Sequence, residues 1–194
     1  MTNLSILGTG NMGQAIAAVA AKGGHNVQQL GENDLETAVT GDVVVLAVPY
    51  TAVAEVISQR GEQLAGRIVV DLTNPLDFAT FDSLLVPADS SAAAEIAAAL
   101  PGSRVLKAFN TTFAGTLAGA VGSGSASVPT TVLIAGDDAD AKATLAEVVT
   151  SGGLNAIDAG ALKRARELEA VGFLQLTLAA NEKVSWTGGF GLVA

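Results

Sequence analysis

Six residues near the start of the chain narrow its folding options more than any other feature: Gly8-Thr9-Gly10-Asn11-Met12-Gly13. An apolar run at 4–7 precedes them, and an Ala-rich stretch at 12–22 follows. Glycines spaced G-x-G-x-x-G between a strand and a helix have separate jobs. The first makes the tight turn, the second lets a ligand approach the backbone, and the third lets helix and strand pack closely. Amides at such a helix start are unpaired and carry partial positive charge, which suits a diphosphate. A glycine turn that binds nothing has the same local spelling, so the rest of the chain must decide.

That remainder alternates as a parallel sheet wrapped in helices does. Strands are expected at 4–7, 27–30, 43–48, 67–72, 105–109, 131–135 and 155–157. Helices are expected at 12–22, 51–64, 90–100, 139–150 and from 161 to about 182. Residues 31–42 alone join the second and third strands, so the second crossover is expected to be abbreviated. The Gly/Ser/Ala-rich segment 119–129 has no periodicity and is expected to be a mobile loop. The reading is an α/β, Rossmann-type, doubly wound and mainly parallel sheet. It forms one domain over 1–194, with 161–194 as a C-terminal helix and tail.

Composition removes several chemistries. With no cysteine, disulfides, thiolate nucleophiles and sulfur-built zinc sites are ruled out, in keeping with a cytoplasmic setting. A single histidine, His25, argues against a His-rich metal site or a Ser-His-Asp triad, and no metal is expected. A net charge of −9 with only ten Lys and Arg disfavours a nucleic-acid partner. The start, Met1 to Ile6, lacks the basic and apolar regions of a signal peptide. No apolar run reaches the roughly 18 residues of a membrane span.

The adenosine ribose of a dinucleotide should meet the end of the second strand, at Gly31-Glu32-Asn33. An acid there accepts bonds from both ribose hydroxyls, whereas a 2′-phosphate wants Arg or Lys. Between 26 and 42 there is no Lys or Arg, while Glu32, Asp34, Glu36 and Asp42 are acidic. The balance leans to NAD over NADP. Glu32 as an ordinary solvated acid is the other reading.

Five landmarks occur in order: Leu7 to Gly13; Ala47-Val48-Pro49-Tyr50; Val70-Asp71-Leu72-Thr73-Asn74-Pro75; Lys107-Ala108-Phe109-Asn110-Thr111; and Asp158-Ala159-Gly160 with Arg166-Glu167-Leu168-Glu169. With them the chain resembles, over nearly its full length, the coenzyme F-420-dependent NADP reductase family. The same fold occurs in the cytosolic domain of STEAP ferric reductases and the N-terminal domain of pyrroline-5-carboxylate reductase. The resemblance implies direct hydride transfer between nicotinamide C4 and C5 or N5 of a deazaflavin or flavin. The two rings would stack about 3–3.5 Å apart with little acid–base help, so no catalytic side chain is named. It also implies that Thr9, Asn11 and Met12 contact the diphosphate and that Val48 and Pro49 lie along the nicotinamide half. Asn74 and Pro75 would close the cofactor site where it meets the second ring, which Asn110 and Thr111 would border. NADP-using members carry Ser-Arg after the second strand, where this chain has Glu32-Asn33.

The acceptor stays open among a deazaflavin, a flavin and a small electrophile. Two rival functions remain. One is imine or carbonyl reduction of the pyrroline-5-carboxylate reductase type, although the helical dimerisation domain of those enzymes has no counterpart here. The other is a sensor that binds NAD(P)(H) without turnover, favoured by the lack of a clear proton donor and disfavoured by the open strand ends.

Some residues carry two readings. Lys107 either forms a salt bridge or polarises a ligand, and Asn74 and Asn110 either cap loops or hold substrate. His25 reads as structural. The charges at 163–169 read as a solvated helix face, with Arg166 reaching cofactor phosphates as the alternative. Trp186 and Phe190, in the tail 184–194, are expected to dock on a partner subunit of a homodimer and help close the second-ligand site.

Overall fold

The computed structural model describes residues 1–123 and 128–192. Next to one edge of a seven-stranded sheet, β1 (Asn3–Leu7) pairs on one side with the edge strand β2 (Asn26–Leu30) and on the other with β3 (Val43–Leu46). Next come β4 (Ile68–Asp71) and β5 (Arg104–Lys107), all parallel. Every residue of β3 and β4 is buried, as strands covered on both faces must be. The chain runs from β1 outward to β2 and then back across to β3. The winding direction therefore reverses between β1 and β3, which opens a crevice at the carboxyl ends of those strands. Beyond β5 the sheet turns over: β6 (Thr131–Gly136) is antiparallel to β5, and β7 (Asn155–Gly160) is parallel to β6.

Helices cover both faces. On one, α1 (Asn11–Lys22) and α5 (Ala139–Ser151) bury Ile16, Val19, Leu145 and Val148 against Leu4, Ile6, Val45 and Ile134. On the other, α2 (Tyr50–Leu64) and α3 (Ala92–Ala99) bury Val53, Leu64 and Ile96 against Val44, Leu46 and Val69. After a 3₁₀ turn at Leu162–Arg164, α6 (Ala165–Ala180) packs against α3. Among the described residues no helix is long and apolar enough to cross a membrane.

The second crossover carries no helix, as its length implies. A loop in that position still has carbonyls to satisfy. Two arginines supply the donors: Arg60 reaches Thr37 O (2.8 Å) and Asp34 O (2.5 Å), and Arg67 reaches Val39 O (3.0 Å) and Gly41 O. Side-chain clamps from α2 and from the residue just before β4 thus replace a helix's own hydrogen bonds.

The expected loop at 119–129 needs correcting, because its first part belongs to a helix, α4 (Ala114–Ser123). Leu117 is fully buried, and Ala120 and Val121 pack on the core beside α1. Tertiary packing here outweighs the poor helix propensity of Gly119. Residues 124–127 of that expectation lie outside the described residues.

Candidate functional site

Backbone geometry shapes the glycine loop. Gly8 sits at φ +124, and a Cβ there would lie 2.1 Å from Ala47 O. A Cβ on Gly13 would lie 2.3 Å from Gly8 O, so the turn and the helix fit together only as glycines. Gly10 differs: a Cβ there meets nothing within 4 Å. Packing does not require glycine at position 10.

No side chain caps α1, and its first turn carries no acid. Gln14 N–H is the first amide to close onto the helix, at Gly10 O (3.0 Å). The amides before it have no helical carbonyl to reach, and the positive end of the helix dipole is left uncompensated. Gly8 N–H is held by Leu30 O (2.8 Å) and Thr9 O by Gln14 Nε2 (2.9 Å), which fixes the loop.

Two pockets flank this helix start. One, of 440 Å³, is lined by Gly8, Gly31, Glu32, Asn33, Val56 and Arg60 among others. The second is a 670 Å³ cleft lined by Asn11, Met12, Thr73, Asn74 and Asn110 and by five aromatic rings, Tyr50, Phe78, Phe109, Phe113 and Trp186. Val48 and Pro49 line both. The pockets therefore meet beside the glycine loop.

Of the residues expected at the site, Gly8, Asn11, Met12, Glu32, Val48, Pro49, Asn74 and Asn110 line the two pockets. Thr9, Gly10 and Gly13 lie in the glycine loop without lining either, and Pro75 and Thr111 lie apart. Pro75 is buried and absent from the cleft wall, and its carbonyl accepts Leu85 N–H (2.6 Å) away from it. Thr111 lines a separate 220 Å³ pocket, and Thr112 reaches both. Asn74 and Asn110 hold each other. Asn74 Nδ2 donates to Asn110 O (2.9 Å), while Asn110 Nδ2 donates to Asn74 Oδ1 (2.9 Å) and Leu168 O (2.8 Å). That lock joins the ends of β4 and β5 to α6. It leaves Asn110 Oδ1 unpaired and buried, as is Thr73 Oγ1, and both residues line the cleft. Buried polar atoms without partners are costly.

Lys107 takes the salt-bridge reading. Its Nζ lies 2.7 Å from Asp71 Oδ2, 2.7 Å from Glu169 Oε1 and 2.5 Å from Thr73 O. Those three acceptors use all three ammonium protons, and the group is 0% exposed, so none is left for a ligand. Glu169 also accepts Ala92 N–H (2.9 Å) and Ala93 N–H (3.3 Å) at the start of α3. Burial pushes the Glu169 carboxyl above the usual range, and neighbouring Lys107 pulls it partly back. The sequence reading missed these partners, although an acid ending the apolar strand 68–71 was a usable signal.

Tyr50 was quoted in the sequence only as part of a landmark. It lines the cleft and donates its hydroxyl to Glu95 Oε2 (2.5 Å). Burial first, then the Glu95 carboxylate, push its pKa up to about 12. Arg60 was also missed, since it enters the 440 Å³ pocket from α2. The tail folds over its own chain. Trp186 packs 5.1 Å from Phe113, and Thr116 Oγ1 donates to Gly188 O (2.7 Å). His25 is structural: Nδ1 accepts Thr2 N–H (3.0 Å) and Nε2 bonds Ser151 Oγ (2.8 Å). Arg166 is exposed, and Arg164 forms a surface pair with Glu167 (3.0 Å). Among the described residues no His, Cys, Asp and Glu group is placed to hold a metal.

Comparison with known proteins places this site in a family. Residues 28–75 match the family described as NADP oxidoreductase, coenzyme F420-dependent. Over 163 residues the chain is 32% identical to the F420-dependent NADP reductase of Methanocaldococcus jannaschii, covering 82% of this chain and 71% of that one. The chain belongs to the F420-dependent NADP reductase family. As a member it is an oxidoreductase enzyme with a Rossmann-type fold. It is also 28% identical over 183 residues to the metalloreductase STEAP3 of Rattus norvegicus, spanning 87% of this chain but 36% of that one. A solved structure from Arthrobacter sp. FB24 superposes over 100% of both chains with a TM-score of 0.83 at 24% identity, which bears on the fold alone.

Proposed function

We propose that the protein transfers a hydride between a nicotinamide dinucleotide lying across the glycine loop and a planar aromatic acceptor in the 670 Å³ cleft. One observation carries this reading: Val48 and Pro49 line both pockets, so one dinucleotide reaches from Glu32 past the α1 amides into the cleft. The bound nicotinamide supplies the two electrons as hydride. The protein's part is placement. The α1 amides hold the diphosphate, Val48 and Pro49 back the nicotinamide, and Asn110 Oδ1 and Thr73 Oγ1 receive N–H or O–H edges. Phe109, Phe113 and Trp186 stack and exclude water. A flavin or deazaflavin ring suits such walls.

Imine or carbonyl reduction is less well supported, because it needs a proton donor. The Tyr50 proton is held by Glu95, and no His, Lys or acid lines the cleft among the described residues.

The dinucleotide favoured is NADH. Glu32 stands where a 2′-phosphate would sit, and the Arg60 guanidinium is committed to Asp34 O and Thr37 O at 4% exposure. Steady-state oxidation of NADH and NADPH with flavin and deazaflavin acceptors tests both points. Turnover with NADH ahead is expected. Saturable binding with no turnover on any acceptor would favour a sensor instead.

A further inference from the structure

Thr73 and Asn110 bring to the cleft two oxygens that the protein itself does not use. Thr73 is 2% exposed and Asn110 6%, and among the described residues neither Thr73 Oγ1 nor Asn110 Oδ1 has a hydrogen-bond partner. Both residues are otherwise firmly held. Thr73 N–H donates to Asp71 Oδ1 (2.8 Å) and Thr73 O accepts from Lys107 Nζ (2.5 Å), so the buried ion cluster fixes the backbone that carries the hydroxyl. The Asn110 amide nitrogen has both protons committed, to Asn74 Oδ1 and Leu168 O, which leaves its oxygen alone unused. Just before it, Phe109 sits at φ 64, a left-handed conformation that a bulky residue adopts only under constraint. Two costly unpaired oxygens in one cleft wall, one beside a strained residue, mark a place where a ligand completes the bonding.

The two atoms make different demands. An amide oxygen only accepts, whereas a hydroxyl has a proton to place. A primary carboxamide meets both, with an N–H for Asn110 Oδ1 and a C=O for the Thr73 hydroxyl. Strand order says which ligand brings it. A dinucleotide leaving the start of α1 passes Val48 and Pro49 after β3, and the next strand ends are those of β4 and β5, followed by Thr73 and Asn110. We propose that Asn110 Oδ1 and Thr73 Oγ1 clamp the carboxamide of the nicotinamide, and so select a dinucleotide with an amide at that position. This rests on the reading above that the nicotinamide enters the cleft, and it names the groups that hold it there.

Thr73→Val nearly keeps the shape of the side chain and removes the O–H. Because the deleted hydroxyl has no partner in the protein, the variant should melt no lower than the natural protein, a result that a structural role for Thr73 would not give. It should bind NADH about tenfold more weakly in calorimetric titrations, and Thr73→Ser should restore the affinity. Reduced 3-acetylpyridine adenine dinucleotide keeps the carbonyl but has a methyl in place of NH2. It should bind the natural protein about tenfold more weakly than NADH. A lower melting temperature for Thr73→Val, equal NADH affinity in the two proteins, or equal affinity for the two dinucleotides overturns the clamp and leaves hydride transfer standing. Weaker riboflavin binding by Thr73→Val with NADH unaffected would give the oxygens to the acceptor and also overturn it. If the binding differences hold but no flavin or deazaflavin is reduced, the clamp stands and the hydride-transfer reading falls. If NADH does not bind the natural protein, both fall.

Discussion

On the Glu32 side of Val48 and Pro49 the walls come largely from two short segments, 7–8 and 30–35, together with α2. On the cleft side they are gathered from the starts of α1, α2 and α4, the ends of β3, β4 and β5, from α6 and from the tail. In the proposed reading the first pocket and the adjoining start of α1 grip the dinucleotide largely through backbone amides and a helix dipole, which depend on geometry and on glycine. The second depends on aromatic surface, two unpaired buried oxygens and a buried ion cluster. A backbone site of the first kind can be shared by many proteins, whereas a side-chain site of the second kind decides what each one reduces.

Removing the ion cluster should have the largest effect. Lys107→Met leaves Asp71 and Glu169 buried without their cation, and breaking such a pair costs about 3–5 kcal/mol. Urea denaturation measures it. A loss under about 1 kcal/mol would mean the cluster does not brace the cleft.

Tyr50 is the only tyrosine, so an ultraviolet titration reads it alone. Its midpoint in the folded protein should be about 12, against about 10 in the unfolded chain. Between those values the folded state keeps a proton that the unfolded state has released, so stability should fall as pH rises from about 10 towards 12. Glu95→Gln should lower the midpoint only part of the way, because burial is the larger cause. An ordinary midpoint in the folded protein would mean the phenol is solvated and the cleft is wet.

The smallest of these effects lies in the other pocket. Glu32→Arg should raise affinity for NADPH relative to NADH by about tenfold, roughly 1.4 kcal/mol, in paired calorimetric titrations. An unchanged ratio would remove Glu32 from the ribose site.

The same contrast explains what the sequence disclosed. Gly8, Gly10 and Gly13 were legible because turn, approach and close packing are local demands that only glycine meets. The strands at 43–46 and 68–71 were legible because burial on both faces leaves a run of apolar residues. Asp71, Lys107 and Glu169 belong together only once β4, β5 and α6 are adjacent, across separations of 36 and 62 residues. Counting charge from 26 to 42 missed Arg60 for the same reason. The helix at 114–123 was hidden by its glycines, and only its burial beside α1 explains it.

A calorimetric titration of NADH into the natural protein and Gly10→Val, with melting temperatures for both, bears most directly on the glycine loop as the grip for a diphosphate. One molecule should bind per natural chain. The valine variant should bind at least tenfold more weakly while its melting temperature falls by no more than about 4 °C, since its side chain meets open space. Equal binding by the two proteins, or no binding by the natural one, would contradict the account.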